Sequence, residues 1–291
     1  MYAKIIDGLS IARQKLDLIS SQIRSLHALS GIKPKLSVVL VGDNPASISY
    51  IKRKVQFAQI ADIDVEVINH DNSISQKSLL EEINRLNKDK TVHGIIIQLP
   101  LPKHIDEFIV GNAVDINKDV DGFHASNVGM TFLNHNEYYH KSCVAMSCIS
   151  LIKSVKRDLS GMRAVVVGSS NTVGKPIMMS LLNEGCSIVN LHSKTLDLKA
   201  DTIGADILVC AVGKNNIITA DMIKKDAIII DVGINRIYDG ENYHIVGDVE
   251  FAGCSQLASH ITPVPGGVGP MTVYHLMENV FHAYRFALGV A

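Results

Sequence analysis

No stretch of this sequence is long and apolar enough to cross a bilayer. Its long apolar runs, such as 207–212 and 227–230, fall far short of the roughly 20 residues that a membrane helix needs. Residues 1–30 are broken up by Lys4, Asp7, Arg13, Lys15, Asp17 and Arg24, so a secretory leader is not expected. Neither sign of charge dominates: 28 basic side chains face 29 acidic ones, for a net charge of −1. That balance removes any global reason to expect nucleic acid or an anionic membrane as a partner, and any anion site must be local. The five cysteines (143, 148, 186, 210 and 254) are odd in number and include no Cys-x-x-Cys pair. A disulfide framework or a zinc site is therefore not expected; reduced core thiols in a cytoplasmic protein are. Internal repeats, low-complexity tracts and heptad arrays are absent too, which excludes solenoids and coiled coils.

What is present is the composition of a globular protein. The chain is 47% hydrophobic and 20% charged over 291 residues, enough for a substantial core and for one large or two ordinary domains. Ile11, Leu16, Ile19, Ile23 and Leu26 recur at helical spacing and predict an amphipathic helix over 8–29. A β-rich run at 36–41 ends in Gly42-Asp43-Asn44-Pro45, a strand followed by a turn. Pro45 and Ser47 then open a helix that carries Tyr50, Lys54, Phe57 and Ala58. Strands over 65–69 and 93–98, with a helix over 77–87 between them, complete a βαβαβ rhythm that predicts a parallel sheet. Residues 111–136, rich in Asn and Asp and weak in periodicity, read as a functional loop or interdomain joint. A helix over 142–157 leads into a second α/β unit, with strands at 163–167, 187–191, 206–211 and 227–231 and a helix at 174–183. A last helix spans 271–287.

In the second unit, Val167 is followed by Gly168-Ser169-Ser170-Asn171-Thr172-Val173-Gly174-Lys175-Pro176: a strand end, a small-residue turn and a helix start. Small residues let backbone approach a pyrophosphate, and a helix N-terminus offers unpaired N–H groups. The pattern is not G-x-G-x-x-G, since Ser170 stands at the middle glycine and Gly174 falls one position late. An ordinary βα turn in a flavodoxin-like sheet remains open on this motif alone. About 20 residues on, where a carboxylate would bind an NAD ribose, the chain has His192-Ser193-Lys194. A hydroxyl and a cation suit the 2′-phosphate of NADP, though a solvated loop would read the same. Gly213 and Ile234 follow two further strand ends, where an open parallel sheet binds its ligand.

Tyr50 and Lys54 are four apart on a predicted helix and share a face, a plausible acid/base pair if that face lines a site. The alternative is a solvated basic face made by Lys52, Arg53 and Lys54. Gln98 ends a strand just before Leu99-Pro100-Leu101-Pro102, where an uncharged amide can orient a lysine or simply cap the strand. Asp115, Asp119 and Asp121 lack the glycine and closing glutamate of a calcium loop, so no metal is expected. Asp121, beside Gly122, can instead pair with an amino-pyrimidine-type donor edge. The Pro- and Gly-dense segment 263–272 predicts a rigid loop that walls a cleft, or a plain hinge.

Six segments, namely 46–54, 94–102, 118–123, 168–176, 231–236 and 261–273, resemble in order the bifunctional methylenetetrahydrofolate dehydrogenase/methenyltetrahydrofolate cyclohydrolase family. The resemblance implies an N-terminal parallel-sheet α/β substrate domain over 1–140 and a Rossmann-like NADP-binding domain over 141–270. The helix over 271–291 would pack back on the first domain. It implies oxidation of 5,10-methylenetetrahydrofolate with NADP, then hydrolysis to 10-formyltetrahydrofolate. Lys54 would be the acid/base group, tuned by Gln98, with Tyr50 positioning the folate and Asp121 holding its pterin. Ser47, Pro263 and Gly267 would add substrate contacts. Gly168, Ser169, Ser170, Val173, Gly174, His192, Ser193, Lys194, Gly213 and Ile234 would bind the cofactor. A cytoplasmic homodimer feeding purine, methionine and histidine synthesis would follow. Two departures stand out: Cys143-Val144-Ala145-Met146-Ser147 replaces the usual Cys-Thr-Pro-x-Gly, and Ser169 stands where many NADP-using relatives have arginine. The first leaves open an enzyme with weakened dehydrogenase activity; a non-catalytic folate- or nucleotide-binding protein is the remaining alternative.

Overall fold

The computed structural model describes residues 2–135, 137–240 and 242–290. The chain divides into two compact units. One comprises the residues up to Ala12 with Val144–Thr272; the other comprises Arg13–Cys143 with the residues from Val273 on.

The second of these units is built on a three-stranded parallel sheet in the order Asp64–His70, Lys35–Val41, Gly94–Ile97. The central strand is buried from Leu36 to Val41, which is why its sequence is apolar apart from Ser37 and does not alternate. The helix Gln76–Lys88 buries Leu79, Ile83 and Leu86 at helical spacing, and its first turn is capped by Ser75, which accepts from Ser78 N at 3.1 Å. Those residues join Val39, Val41, Val92, Ile95 and Leu101 in one core. The C-terminal helix Val268–Ala287 returns to this unit over most of its length.

The expected loop at 111–136 is corrected: it contains the helix Ala125–Leu133, while Asn136 lies outside the described residues. Its pattern runs opposite to the usual one. The buried positions are Asn127 and Thr131, whereas Phe132 and Leu133 are 66% and 70% exposed. Apolar periodicity cannot reveal a helix whose inward face is polar.

The other unit carries a six-stranded parallel sheet in the order Lys4–Ile5, His260–Ile261, Ile228–Asp231, Ile207–Cys210, Arg163–Val167, Ser187–Leu191. From residue 163 on, the sheet's strands therefore run second, first, third, fourth, fifth across it, which puts a reversal of winding between Arg163–Val167 and Ile207–Cys210. Ligands of open α/β sheets bind at the carboxyl ends of such a pair. Residues 2–12, expected in the N-terminal domain, cluster in the structure with the six-stranded unit, where Lys4 and Ile5 pair with His260 and Ile261. A two-residue strand is too short to show a period, and only its distant partner makes it a strand. An antiparallel hairpin, Asn235–Asp239 with Asn242–Val246, also lies in this unit. The Asp239-Gly240 pair, with Gly240 at φ 63°, is the local signal that would have revealed it.

Candidate active site

The helix Pro45–Ala61 begins where Asn44 Oδ1 accepts from the N–H groups of Ala46 (2.9 Å) and Ser47 (3.3 Å), with proline in the first turn. Its buried face holds Ser47, Ile51, Lys54, Phe57, Ala58 and Ala61, so Lys54 occupies a core position, while Lys52 and Arg53 are exposed. Lys54 is 3% exposed, and its Nζ donates to Gln98 Oε1 at 3.1 Å. The Gln98 amide is itself oriented by donating from Nε2 to Leu99 O at 2.8 Å. Lys54 Nζ also sits 4.8 Å from the centre of the Tyr50 ring. Burial lowers the lysine's pKa, and the Asp121 carboxylate and Cys143 work against that shift. Burial raises the Tyr50 phenol, which stays protonated at neutral pH. Lys54, Gln98, Tyr50 and Asp121 are thus brought together around one buried amine. Ser47 lies at the same end, where its hydroxyl donates to Leu99 O at 3.4 Å.

Asp121 is presented by a turn that its neighbour Asp119 holds. Asp119 accepts from Phe123 N (3.2 Å), His124 N (2.8 Å) and Asn127 Nδ2 (2.8 Å). Burial raises its pKa to about 6, against the pull of those three donors. Its bonds make Asp119 an internal brace, and the described residues contain no cluster of three or more metal-ligating side chains. Gly122 has φ 73°, and a Cβ there would lie 2.5 Å from Lys141 C and 2.6 Å from Ser142 N. Only glycine lets the two backbone segments meet. The Cys143 thiol donates to Val120 O at 3.3 Å, and burial pushes its pKa well up. All five cysteines are buried, and none is in a disulfide.

In the other unit, the two outer glycines of the small-residue turn are required by backbone contact. A Cβ on Gly168 would come 2.3 Å from Ala211 O, and one on Gly174 would come 2.1 Å from Gly168 O. Ser170 Oγ accepts from Val173 N (3.2 Å) and Gly174 N (3.3 Å), so the serine at the middle-glycine position closes the turn onto the start of the helix Gly174–Asn183. His192, Ser193 and Lys194 are exposed at the next strand end, and Ile234 keeps 64% of its surface exposed. A tight, small-residue turn, a cation and hydroxyl beside it, and an exposed apolar side chain fit a phosphorylated dinucleotide. Pro263 and Gly267 lie in this same unit. A Cβ on Gly8 would lie 2.0 Å from Gly267 O, and Leu9 N donates to Gly266 O at 2.9 Å, so the loop rests on the start of the helix Gly8–Ser30.

Three residues that order this unit have no role assigned from the sequence. Asn190 Nδ2 donates to Val166 O (3.0 Å) and Gly168 O (2.8 Å), which anchors the small-residue turn. Asp248, fully buried, accepts from the N–H groups of Val212 (2.7 Å), Gly213 (2.9 Å) and Lys214 (2.8 Å). Three successive N–H groups would otherwise form an anion nest; here the chain's own carboxylate fills it. Asp231 accepts from Gly233 N, Asp248 N and Val249 N at 2.9–3.0 Å, and burial raises its pKa to about 6. No local motif marks Asn190 or Asp248, and the segment 231–236 that Asp231 opens does not show its bracing role.

Residues 6–121 match the family model described as the tetrahydrofolate dehydrogenase/cyclohydrolase catalytic domain, and residues 142–288 match the NAD(P)-binding domain of the same name. The chain is 47% identical to the bifunctional protein FolD 1 of Acinetobacter baylyi, over 97% of this chain and 94% of that one. It is 44% identical to the bifunctional protein FolD of Dechloromonas aromatica over 100% of both chains. Among solved structures, the bifunctional FolD methylenetetrahydrofolate dehydrogenase/cyclohydrolase of Campylobacter jejuni superposes with a TM-score of 0.94 at 40% identity, covering 98% of this chain and 99% of that one. The Trypanosoma brucei dehydrogenase-cyclohydrolase, complexed with NADP cofactor and inhibitor, gives 0.96 at 30% identity and 99% coverage of both chains. Both halves of the sequence and both units of the fold lead to one conclusion: this chain belongs to the tetrahydrofolate dehydrogenase/cyclohydrolase family.

Proposed function

We propose that this protein oxidises 5,10-methylenetetrahydrofolate with NADP and hydrolyses the resulting methenyl cation to 10-formyltetrahydrofolate. The observation that carries the proposal is the buried Lys54 amine, held at 3.1 Å by Gln98 Oε1 and placed 4.8 Å from the Tyr50 ring centre. A lysine desolvated in this way gives up its proton more readily than a surface lysine. In its neutral form Lys54 accepts a proton from the attacking water and returns it to the ring nitrogen that leaves as the C–N bond breaks. Gln98 orients the amine without adding a charge, and Tyr50 packs against the folate ring. Asp121, a carboxylate acceptor, takes the donor edge of the pterin.

Gly168, Ser169, Ser170, Val173 and Gly174 would hold the pyrophosphate end of NADP, and His192, Ser193 and Lys194 its 2′-phosphate. Gly213 and Ile234 would line the remainder. When bound, the nicotinamide supplies the two-electron acceptor for the oxidation. Family membership supports a cytoplasmic homodimer formed through the nucleotide-binding units, supplying one-carbon units for purine, methionine and histidine synthesis.

A second reading, hydrolysis with weakened oxidation, is favoured by the segment from Cys143 to Ser147. There the helix Cys143–Val155 begins without the family's usual proline and glycine. A paired assay separates the two. The proposal expects NADPH formation from methylenetetrahydrofolate at a rate comparable to methenyl hydrolysis, and faster than NADH formation. Hydrolysis with negligible NADPH formation would establish the second reading, and neither activity would leave a binding protein.

The charge of Asp121 makes the acid/base role testable by pH. Hydrolysis needs neutral Lys54, so it is lost as pH falls through the lysine's pKa. Asp121 raises that pKa. Asp121→Asn should therefore move the acid limb of the kcat profile to lower pH while raising the KM for folate. An acid limb that stays in place or moves up would remove Lys54 as the titrating group.

A further inference from the structure

One side chain far along the sequence ties together the backbone on both sides of Asp121's turn. Asn279, on the helix Val268–Ala287, is 2% exposed. Its Nδ2 donates to Val120 O at 2.8 Å and to Lys141 O at 3.1 Å, and lies 3.6 Å from Cys143 Sγ. Val120 immediately precedes Asp121, and Lys141 O is among the atoms that leave no room for a Cβ on Gly122. A single amide therefore fixes the spacing between the segment that carries Asp121 and the segment that leads into Cys143. Asp119 holds the same turn from the other side, through Phe123 N and His124 N. The turn is clamped at both ends, with the Asp121 carboxylate between the clamps.

We infer that Asn279 is a positioning residue for folate: by pinning Val120 and Lys141 it sets where the Asp121 carboxylate meets the pterin. This rests on the role proposed above for Asp121. Two neutral N–H donors suit the task, because both partners are carbonyl oxygens that have no donor to offer in return. Losing a buried donor strands its acceptors, and the turn relaxes to re-solvate them.

Asn279→Leu removes both donors while keeping the branched heavy-atom shape, Asn279→Gln returns them on a longer arm, and Asp121→Ala serves as the reference. Steady-state kinetics of the full-length protein, normalised to folded protein, would give KM for folate and for NADP separately. In Asn279→Leu the folate KM should rise about tenfold, the value of one displaced charged contact, with the KM for NADP unchanged. Asn279→Gln should fall between that variant and the parent. A merely structural amide would lower the melting temperature and leave the folate KM of the folded fraction at the parental value. That result, with Asp121→Ala raising the folate KM, would overturn the inference alone. An unchanged folate KM in Asp121→Ala would overturn the Asp121 reading and this inference with it. Should Asn279→Leu fail to fold, Asn279→Ser, with one donor and less bulk, carries the same test: a raised folate KM supports the inference and a parental one overturns it.

Discussion

Lys54→Met is expected to slow methenyltetrahydrofolate hydrolysis by about 10²–10⁴-fold, the range general acid–base catalysis supplies, while NADPH formation persists. Methionine matches the length of the lysine stem and adapts to an irregular interior. The substitution removes a polar head whose burial opposes its charged form, and Lys54 is only 3% exposed. Its cost is the acceptor left behind at Gln98 Oε1, about 1–3 kcal/mol if it finds no other donor. That is small against the stability of a typical domain, so the variant should fold. The oxidation asks mainly for placement of folate against cofactor, and placement does not need a proton on Lys54. The decisive measurement is the decay of methenyltetrahydrofolate beside NADPH production on the same sample. Near-normal decay would end the role of Lys54.

Gly174→Ala should do the reverse. The added Cβ would sit 2.1 Å from Gly168 O, 2.5 Å from Gly168 C and 2.9 Å from Ser169 N, all of them backbone atoms that no rotamer change can move. The turn must shift, and overpacking of this kind costs about 1–3 kcal/mol. Because the displaced atoms are those proposed to cradle the pyrophosphate, much of that strain should appear as lost affinity, roughly tenfold or more in the KM for NADP. Lys54, Gln98, Tyr50 and Asp121 belong to the other compact unit, so hydrolysis of supplied methenyltetrahydrofolate should continue. A folded Gly174→Ala protein with the parental KM for NADP would show that this turn does not hold the cofactor. Together the two variants separate the two activities.

Much of this was legible before any coordinates. The strands Arg163–Val167 and Ser187–Leu191 and the helix Gly174–Asn183 have the bounds their sequence predicts, because continuous apolar runs and a small-residue turn are local signals. The order of the family's motifs was equally plain. The helix Ala125–Leu133 was not, since it turns Asn127 and Thr131 inward, nor was the pair of two-residue strands that carries Lys4–Ile5 into the sheet.

Within the candidate site the division is sharper. By itself the sequence determined that a lysine and a tyrosine share a helical face, that a glutamine ends a strand, and that glycines flank the turn at residue 168. It could not say which cation of Lys52, Arg53 and Lys54 is buried, or that Asp119 is a brace where Asp121 faces the lysine. Nor could it say that Asp248 fills the nest at residues 212–214, or that Asn279 reaches Val120 O across 159 positions. Apolar patterning is read from neighbours three or four residues away, but a buried polar group is defined by the partner that satisfies it. For Lys54 and Gln98 that partner is 44 residues distant, and only the tertiary structure brings it within reach.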